Sequence, residues 1–498
     1  MPMQTRSTTY RFLLPMMIFI ALAVSVSFQG SRGLYETSEG RYAECAREML
    51  ESGNWIEPTL NYAPHWTKPP LTYWAIALGI NWMGHNEWGA RSMNAIAFFL
   101  TTLAVTWIGR TLWDHRTGAI AGIVYATSLF PAAGAFALTS DTLLTFWEIF
   151  TVLCFLKACH SETSRSRGLW IHTMYVSLGF GFLTKGPPSL IPLIPILLWY
   201  LRTRKPAGLF RPSALFLFLV TGFSWYLLVC FRNPGLFSYF LGTEIVGRIV
   251  SDSIRNAKWY GPITVYLPVV LLGGGVWSFH GFKLLLKKKF LSPKVFMKTL
   301  GNEKYAFFLV SWLVPALMIF ILVRNRLPLY ILPLYAPFTL LVARGLGVES
   351  EKQGSMRKMM WTGILSAALL VGLKGASAVS TPKNDMKALY RLYTQKAPGI
   401  NEVAAFNESR LFGLQYYLNG RLERISISGE EPWADSTVEE AVHALDRMPP
   451  GTQRAIIAKK RNSEPLSRIL KHSDIAYRQF EDKHWIIYIL TKGSDHPL

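Results

Sequence analysis

The stretch LYETSEGRYAECAREMLESGNWIEPTLNYAPHWTKPP, residues 34–70, decides what kind of chain this is, because it is polar and sits between two apolar runs. Tyr42, Cys45, Ala46, Met49 and Leu50 recur at helical spacing while Glu44, Arg47, Glu48 and Glu51 take the other side, which predicts an amphipathic helix. Ser38 is the expected N-cap, Glu39 lies in the first turn where a carboxylate suits the helix dipole, and Gly53-Asn54 supplies the stop. Such a helix is expected to lie against a membrane rather than cross it. The carboxylates Glu36 and Glu39, followed by the cations Arg41 and Lys68, suit chemistry on a phosphorylated lipid; they equally fit a solvated juxtamembrane helix.

The chain as a whole is half hydrophobic, 14% aromatic and only 17% charged, too apolar for a string of soluble domains. The net charge of +21 is spread in short basic clusters between apolar runs, the pattern of positive-inside topology. No basic and aromatic surface motif accompanies it, and no nucleic-acid partner is expected. Cys45, Cys154, Cys159 and Cys230 have neither paired nor metal-ligand spacing. An α-helical polytopic membrane protein follows, with spans expected at 12–29, 89–113, 118–138, 142–158, 169–183, 188–201, 213–231, 261–282, 306–323, 327–343 and 359–376. The first, with Arg6 and Arg11 ahead of it, is expected to be a retained helix rather than a cleaved leader.

Residues 1–377 are thus expected to form a transmembrane domain with extracytoplasmic loops at 30–86 and 232–262. Residues 378–498 change character, and an extracytoplasmic α/β domain is predicted, with strands at 402–406, 423–427, 454–458 and 484–490 and a helix within 437–448.

The motifs SEGRYAE (38–44), AREML (46–50), SGNW (52–55) and TKPP (67–70), in this order and spacing, resemble the first extracytoplasmic loop of the protein O-mannosyltransferase and aminoarabinose transferase superfamily. SDTLL (140–144), LTKGPP (183–188) and RNRLPLYILP (324–333) are similar to further elements of that family. The resemblance implies a GT-C type fold of about 11–13 transmembrane helices. It implies a glycosyltransferase moving a sugar from a polyprenyl-phosphate donor to a lipid A-like lipid, a glycan or a protein, at the outer face of a bacterial inner membrane. On the same ground Glu39, Glu36 and Asp141 are the expected catalytic carboxylates, and Arg41, Lys68, Arg248, Arg324, Arg326 and Tyr330 the groups expected around the donor phosphate, with Lys185 nearby.

Two positions depart from the family pattern. Ser38 stands where the catalytic aspartate is usual, and three accounts stay open: Glu36 or Glu39 substitutes, the acceptor is a phosphate that needs no deprotonation, or the chain is silent. The first is favoured, since two carboxylates lie within three residues in an otherwise intact motif. Thr67 stands where the aminoarabinose branch has a glutamate; some members bind a divalent metal, and His65 is the substitute ligand on offer. The competing functions are a lipid-linked sugar flippase or transporter, for which Glu148 would be the main mid-bilayer ionisable group, and a non-catalytic lipid-binding homologue.

Overall fold

The computed structural model describes residues 12–247, 256–286, 305–349, 355–449, 451–473 and 475–492, which cluster into two units. The first comprises residues 1–29, 55–57 and 65–376; the second comprises 30–54, 58–64 and 377–498. Most of the polar insert thus belongs with the C-terminal residues, whereas the sequence placed it in a loop of the transmembrane domain.

In the first unit the helices begin where the sequence supplies caps. Asn86 Oδ1 accepts the Gly89 N–H at 2.9 Å to start Glu87–Leu112, Asp114 does the same for His115–Ala126, and Thr163 for Ser164–Lys185. Among the described residues five helical stretches are long and apolar enough to cross a bilayer: 87–112, 140–159, 212–232, 328–348 and 355–379. Two expected spans are bent pairs instead. His115–Ala126 meets Leu129–Phe136 at 57°, and Gly261–Leu272 meets Val276–Lys283 at 92° across Gly273, Gly274 and Gly275, a run with no side chains to hold helical geometry.

Leu13–Val26, Leu236–Gly247 and Ala306–Leu322 are shorter apolar helices. The middle one lies inside the expected loop 232–262, where a helix was not foreseen. Small residues let backbones close up: a Cβ on Gly109 would sit 2.9 Å from Gly118 Cα, and one on Gly179 would meet Thr221 and Gly222.

The second unit holds a six-stranded sheet. Its strands are β3 (Glu402–Phe406), β4 (Glu423–Ser426), β5 (Ser436–Thr437), β6 (Gln453–Lys459), β7 (Ala476–Glu481) and β8 (Trp485–Thr491), in the order β5-β4-β3-β6-β8-β7; a two-residue hairpin, β1 (Thr59–Leu60) and β2 (Ala63–Pro64), stands apart. β3 pairs in parallel with β4 and β6, and β8 pairs antiparallel with β6 and β7. Alternate residues serve opposite faces: Val403, Ala405 and Ile457 pack with helix Met386–Lys396, while Ala404, Phe406 and Ile456 pack with Val438–Asp446 and Ser463–His472. Thr437 and Glu440 close a capping box at the start of the expected helix.

Candidate active site

The insert forms its helix at Ser38–Ser52, ended by Gly53 in the left-handed conformation (φ 67°) as the sequence predicts. Two expectations about it need correction. Thr37, not Ser38, is the N-cap residue, and the charged side of the helix is not a solvated face. Tyr42, Cys45 and Met49 are buried, but so are Glu44, Arg47 and Glu48 on the charged side. Those charges are consumed locally: Arg47 donates to Glu44 at 2.9 and 2.8 Å and to Glu51 at 2.8 Å, and Glu48 accepts the N–H groups of Asn61 and Tyr62.

The lead-in to this helix is stitched to the start of the C-terminal segment. Tyr35 bridges Asp385, Glu36 N–H donates to Asn384 O at 2.9 Å, and Met386 N–H donates to Leu34 O at 3.1 Å. That stitching sets apart the two carboxylates. Glu39 is buried with both oxygens on Arg32, at 2.6 and 2.9 Å, and accepts the Tyr35 N–H as well. Glu36 Oε2 accepts the Gly413 N–H at 2.9 Å, whereas its Oε1 is covered and has no hydrogen-bond partner among the described residues. Burial raises the Glu36 carboxyl above the ordinary carboxylate range, and the backbone N–H groups of Gly413 and Phe412 offset this only in part. Arg41 lies beside the Tyr42 ring, 5.6 Å from its centroid.

The position of Glu36 depends on a close approach of helix Ser38–Ser52 to Phe412–Tyr417. A Cβ on Gly40 would sit 2.3 Å from Gly413 N and 3.0 Å from Glu36 Oε2. Gly40→Ala should therefore cost about 1–3 kcal/mol of stability, as overpacking against unyielding backbone does. A thermal melt unchanged from wild type would show that the two helices are not in contact.

In the first unit, Thr139 caps Ser140–Cys159 and puts Asp141 in its first turn, while Lys185 closes the last turn of the antiparallel Ser164–Lys185. The two side chains form a buried ion pair. Lys185 Nζ also stands 4.4 Å from the centroid of the Tyr330 ring, and Asn325 Nδ2 donates to Tyr330 Oη at 3.3 Å. Lys68, Lys185, Glu148 and Tyr330 line one cavity of about 560 Å³ whose wall is otherwise mainly apolar, including Phe182 and Phe240. Helix Leu236–Gly247 supplies part of that wall.

Arg326, expected at the donor headgroup, is buried and engaged with backbone: it donates to Asn256 O, Lys258 O and Ile321 O at 2.9–3.2 Å. Arg324 is half-buried at the end of Ala306–Leu322, and Arg248 lies outside the described residues. His65 Nε2 shares a hydrogen bond with Thr67 Oγ1 at 2.7 Å, and among the described residues no group of three or more His, Cys, Asp or Glu is placed to hold a metal ion. Missed from the sequence were Arg32, which fixes Glu39, and Arg91, fully buried and donating to Gln29 O at 2.9 Å. A positive charge within a helix long and apolar enough to span a bilayer was a signal available for Arg91; none singled out Arg32.

Residues 8–240 match the family model described as dolichyl-phosphate-mannose-protein mannosyltransferase. The chain is 33% identical over 348 residues to the undecaprenyl phosphate-alpha-4-amino-4-deoxy-L-arabinose arabinosyl transferase of Pseudomonas savastanoi pv. phaseolicola, covering 68% of this chain and 62% of that one. It is 32% identical over 321 residues to transferase 2 of the same description from Sodalis glossinidius, covering 63% and 56%. The chain thus spans about six tenths of the length of these curated relatives. Its fold is that of the crystal structure of ArnT from Cupriavidus metallidurans bound to undecaprenyl phosphate, with a TM-score of 0.76 over 95% of this chain and 97% of that one, at 18% identity.

Proposed function

We infer the function from the premise that this chain belongs to the protein O-mannosyltransferase and aminoarabinose transferase superfamily and is a multi-pass membrane protein of GT-C type. On that premise it is a bacterial inner-membrane glycosyltransferase, using a polyprenyl-phosphate sugar as donor and a lipid A-like lipid as acceptor. One observation carries this: an apolar cavity that also presents Lys68 and Lys185 suits a prenyl chain ending in a phosphate.

The chemistry follows from the groups present. A phosphate leaves the sugar C1 readily once its charge is neutralised, which is the work of Lys68 and Lys185. The acceptor oxygen forms the new bond to C1 as the C1–O bond to phosphate breaks, and a carboxylate takes the acceptor's proton. Within the second unit, Glu36 rather than Glu39 is the carboxylate we propose as a base, since among the described residues Glu36 keeps an oxygen without a hydrogen-bond partner while both oxygens of Glu39 are on Arg32.

Lys68→Ala should weaken donor binding by about 1.5–3 kcal/mol, the worth of a charge-assisted hydrogen bond. Unchanged affinity for undecaprenyl phosphate in this variant would remove Lys68 from the site. Mass spectrometry of envelope lipids from cells with and without the gene tests the function itself: a sugar-sized mass on a lipid A-like species should require the gene, and identical lipid profiles would contradict the proposal.

A further inference from the structure

We propose that Glu148 selects the donor by its sugar, binding the ammonium group of a positively charged amino sugar inside the cavity. The inference rests on the transferase function proposed above and concerns which sugar it takes.

Glu148 follows Asp141 by seven residues on helix Ser140–Cys159, so it shares that face about 10 Å further along the helix. It is 2% exposed, lines the cavity, and its Oε2 has no hydrogen-bond partner among the described residues. A carboxylate is costly to bury in apolar surroundings unless it is paired. The charge of Lys185 reaches Glu148, but Lys185 is already engaged by Asp141 and Tyr330, and the other carboxylate of the lining, Glu244, accepts the Tyr239 hydroxyl at 3.2 Å.

The missing complement is thus a cation brought by the ligand. The relatives named above act on a 4-amino-4-deoxy sugar, whose primary amine is protonated at neutral pH. An ammonium would complete the Glu148 carboxylate with a charge-assisted hydrogen bond, while the hydroxyl of a neutral sugar would provide only an ordinary one. Lys68 and Lys185 line the same cavity and belong to the phosphate in the transferase reading above.

The test is binding to the purified full-length chain in nanodiscs, with three probes: undecaprenyl phosphate, the same lipid carrying 4-amino-4-deoxyarabinose, and that donor N-acetylated to remove its charge. Wild type should prefer the amine over the acetylated donor by about tenfold or more, and Glu148→Gln should abolish the preference while affinity for undecaprenyl phosphate stays within about twofold. Glu148→Asp, which keeps the charge but withdraws it by one methylene, should reduce the preference at least about threefold, and serves if the Gln variant does not fold. Equal affinities for the two sugar donors in wild type, or a preference that survives Glu148→Gln or is unchanged in Glu148→Asp, would overturn the proposal. These readouts need no turnover. Transfer from both donors without preference would sink the role of Glu148 and leave the transferase standing; preference without transfer would do the reverse.

Discussion

Replacing Glu36 by Gln is expected to lower sugar transfer by about 10²–10⁴-fold, the usual contribution of a positioned base, with donor binding close to wild type. Glutamine preserves the acceptor oxygen that receives the Gly413 N–H, so the stitching of the insert survives, but it cannot take up a proton. Ser38, at the first position of its helix, cannot serve as base near neutral pH without an activator of its own. Burial raises the Glu36 carboxyl, and a base works only when ionised. Wild-type kcat/KM should therefore fall as pH drops through a value above about 4.3, the ordinary glutamate pKa. Glu39→Gln is a different perturbation, since it strips Arg32 of its buried counter-charge and should act first on stability. Full activity of Glu36→Gln would refute the assignment; full activity of both variants would favour a phosphate acceptor. Ser38→Asp should be neutral or faster, and if it alone transfers, the natural chain is silent.

Lys185→Met should destabilise the protein by about 3–5 kcal/mol, because it leaves Asp141 as an uncompensated buried charge. The side chains of the pair are 7% and 11% exposed, so water can do little to replace the lost partner. Asp141→Asn combined with Lys185→Met should recover much of the loss, since no net charge then remains buried. A single Lys185→Met variant that melts like wild type would mean the pair is not buried in the folded protein. Transfer should be lost in the single and double variants alike, as both lack a cation of the proposed phosphate site.

Local signals made much of this molecule legible in advance. The strands at 402–406, 423–427, 454–458 and 484–490 each appear within a residue or two, because short apolar runs between turn residues specify themselves. The helix at Ser38–Ser52 was readable from its period and from Gly53. The partners of its faces were not: an apolar stripe says that something covers it, without saying whether that is lipid or protein. The grouping of 30–54 with 377–498 rests on pairings such as Tyr35 with Asp385, some 350 residues apart, which leave no periodic mark. β7 (AYRQFE) was missed because most of its residues are exposed and it lacks an apolar alternation. The bends at 127–128 and 273–275 were not read because hydropathy registers length rather than direction, although the Gly273-Gly274-Gly275 run was a visible signal for the second.

Among the site residues, Asp141 and Lys185 were placed by motif and prove to be paired, each at the helix end where its charge suits the dipole. Glu36 and Glu39 could not be ranked from sequence, since the ranking depends on Arg32 and Gly413, one just ahead of the motif and the other in the C-terminal segment.

The proposed glycosyl transfer is tested most directly with the purified full-length chain in proteoliposomes holding an undecaprenyl-phosphate amino sugar and a lipid A acceptor, followed by mass spectrometry of both lipids. Appearance of the sugar's mass on the acceptor, matched by release of undecaprenyl phosphate and lost in Glu36→Gln, is the predicted result. A sugar that stays on its donor lipid while that donor changes leaflet would contradict the account and make the protein a transporter.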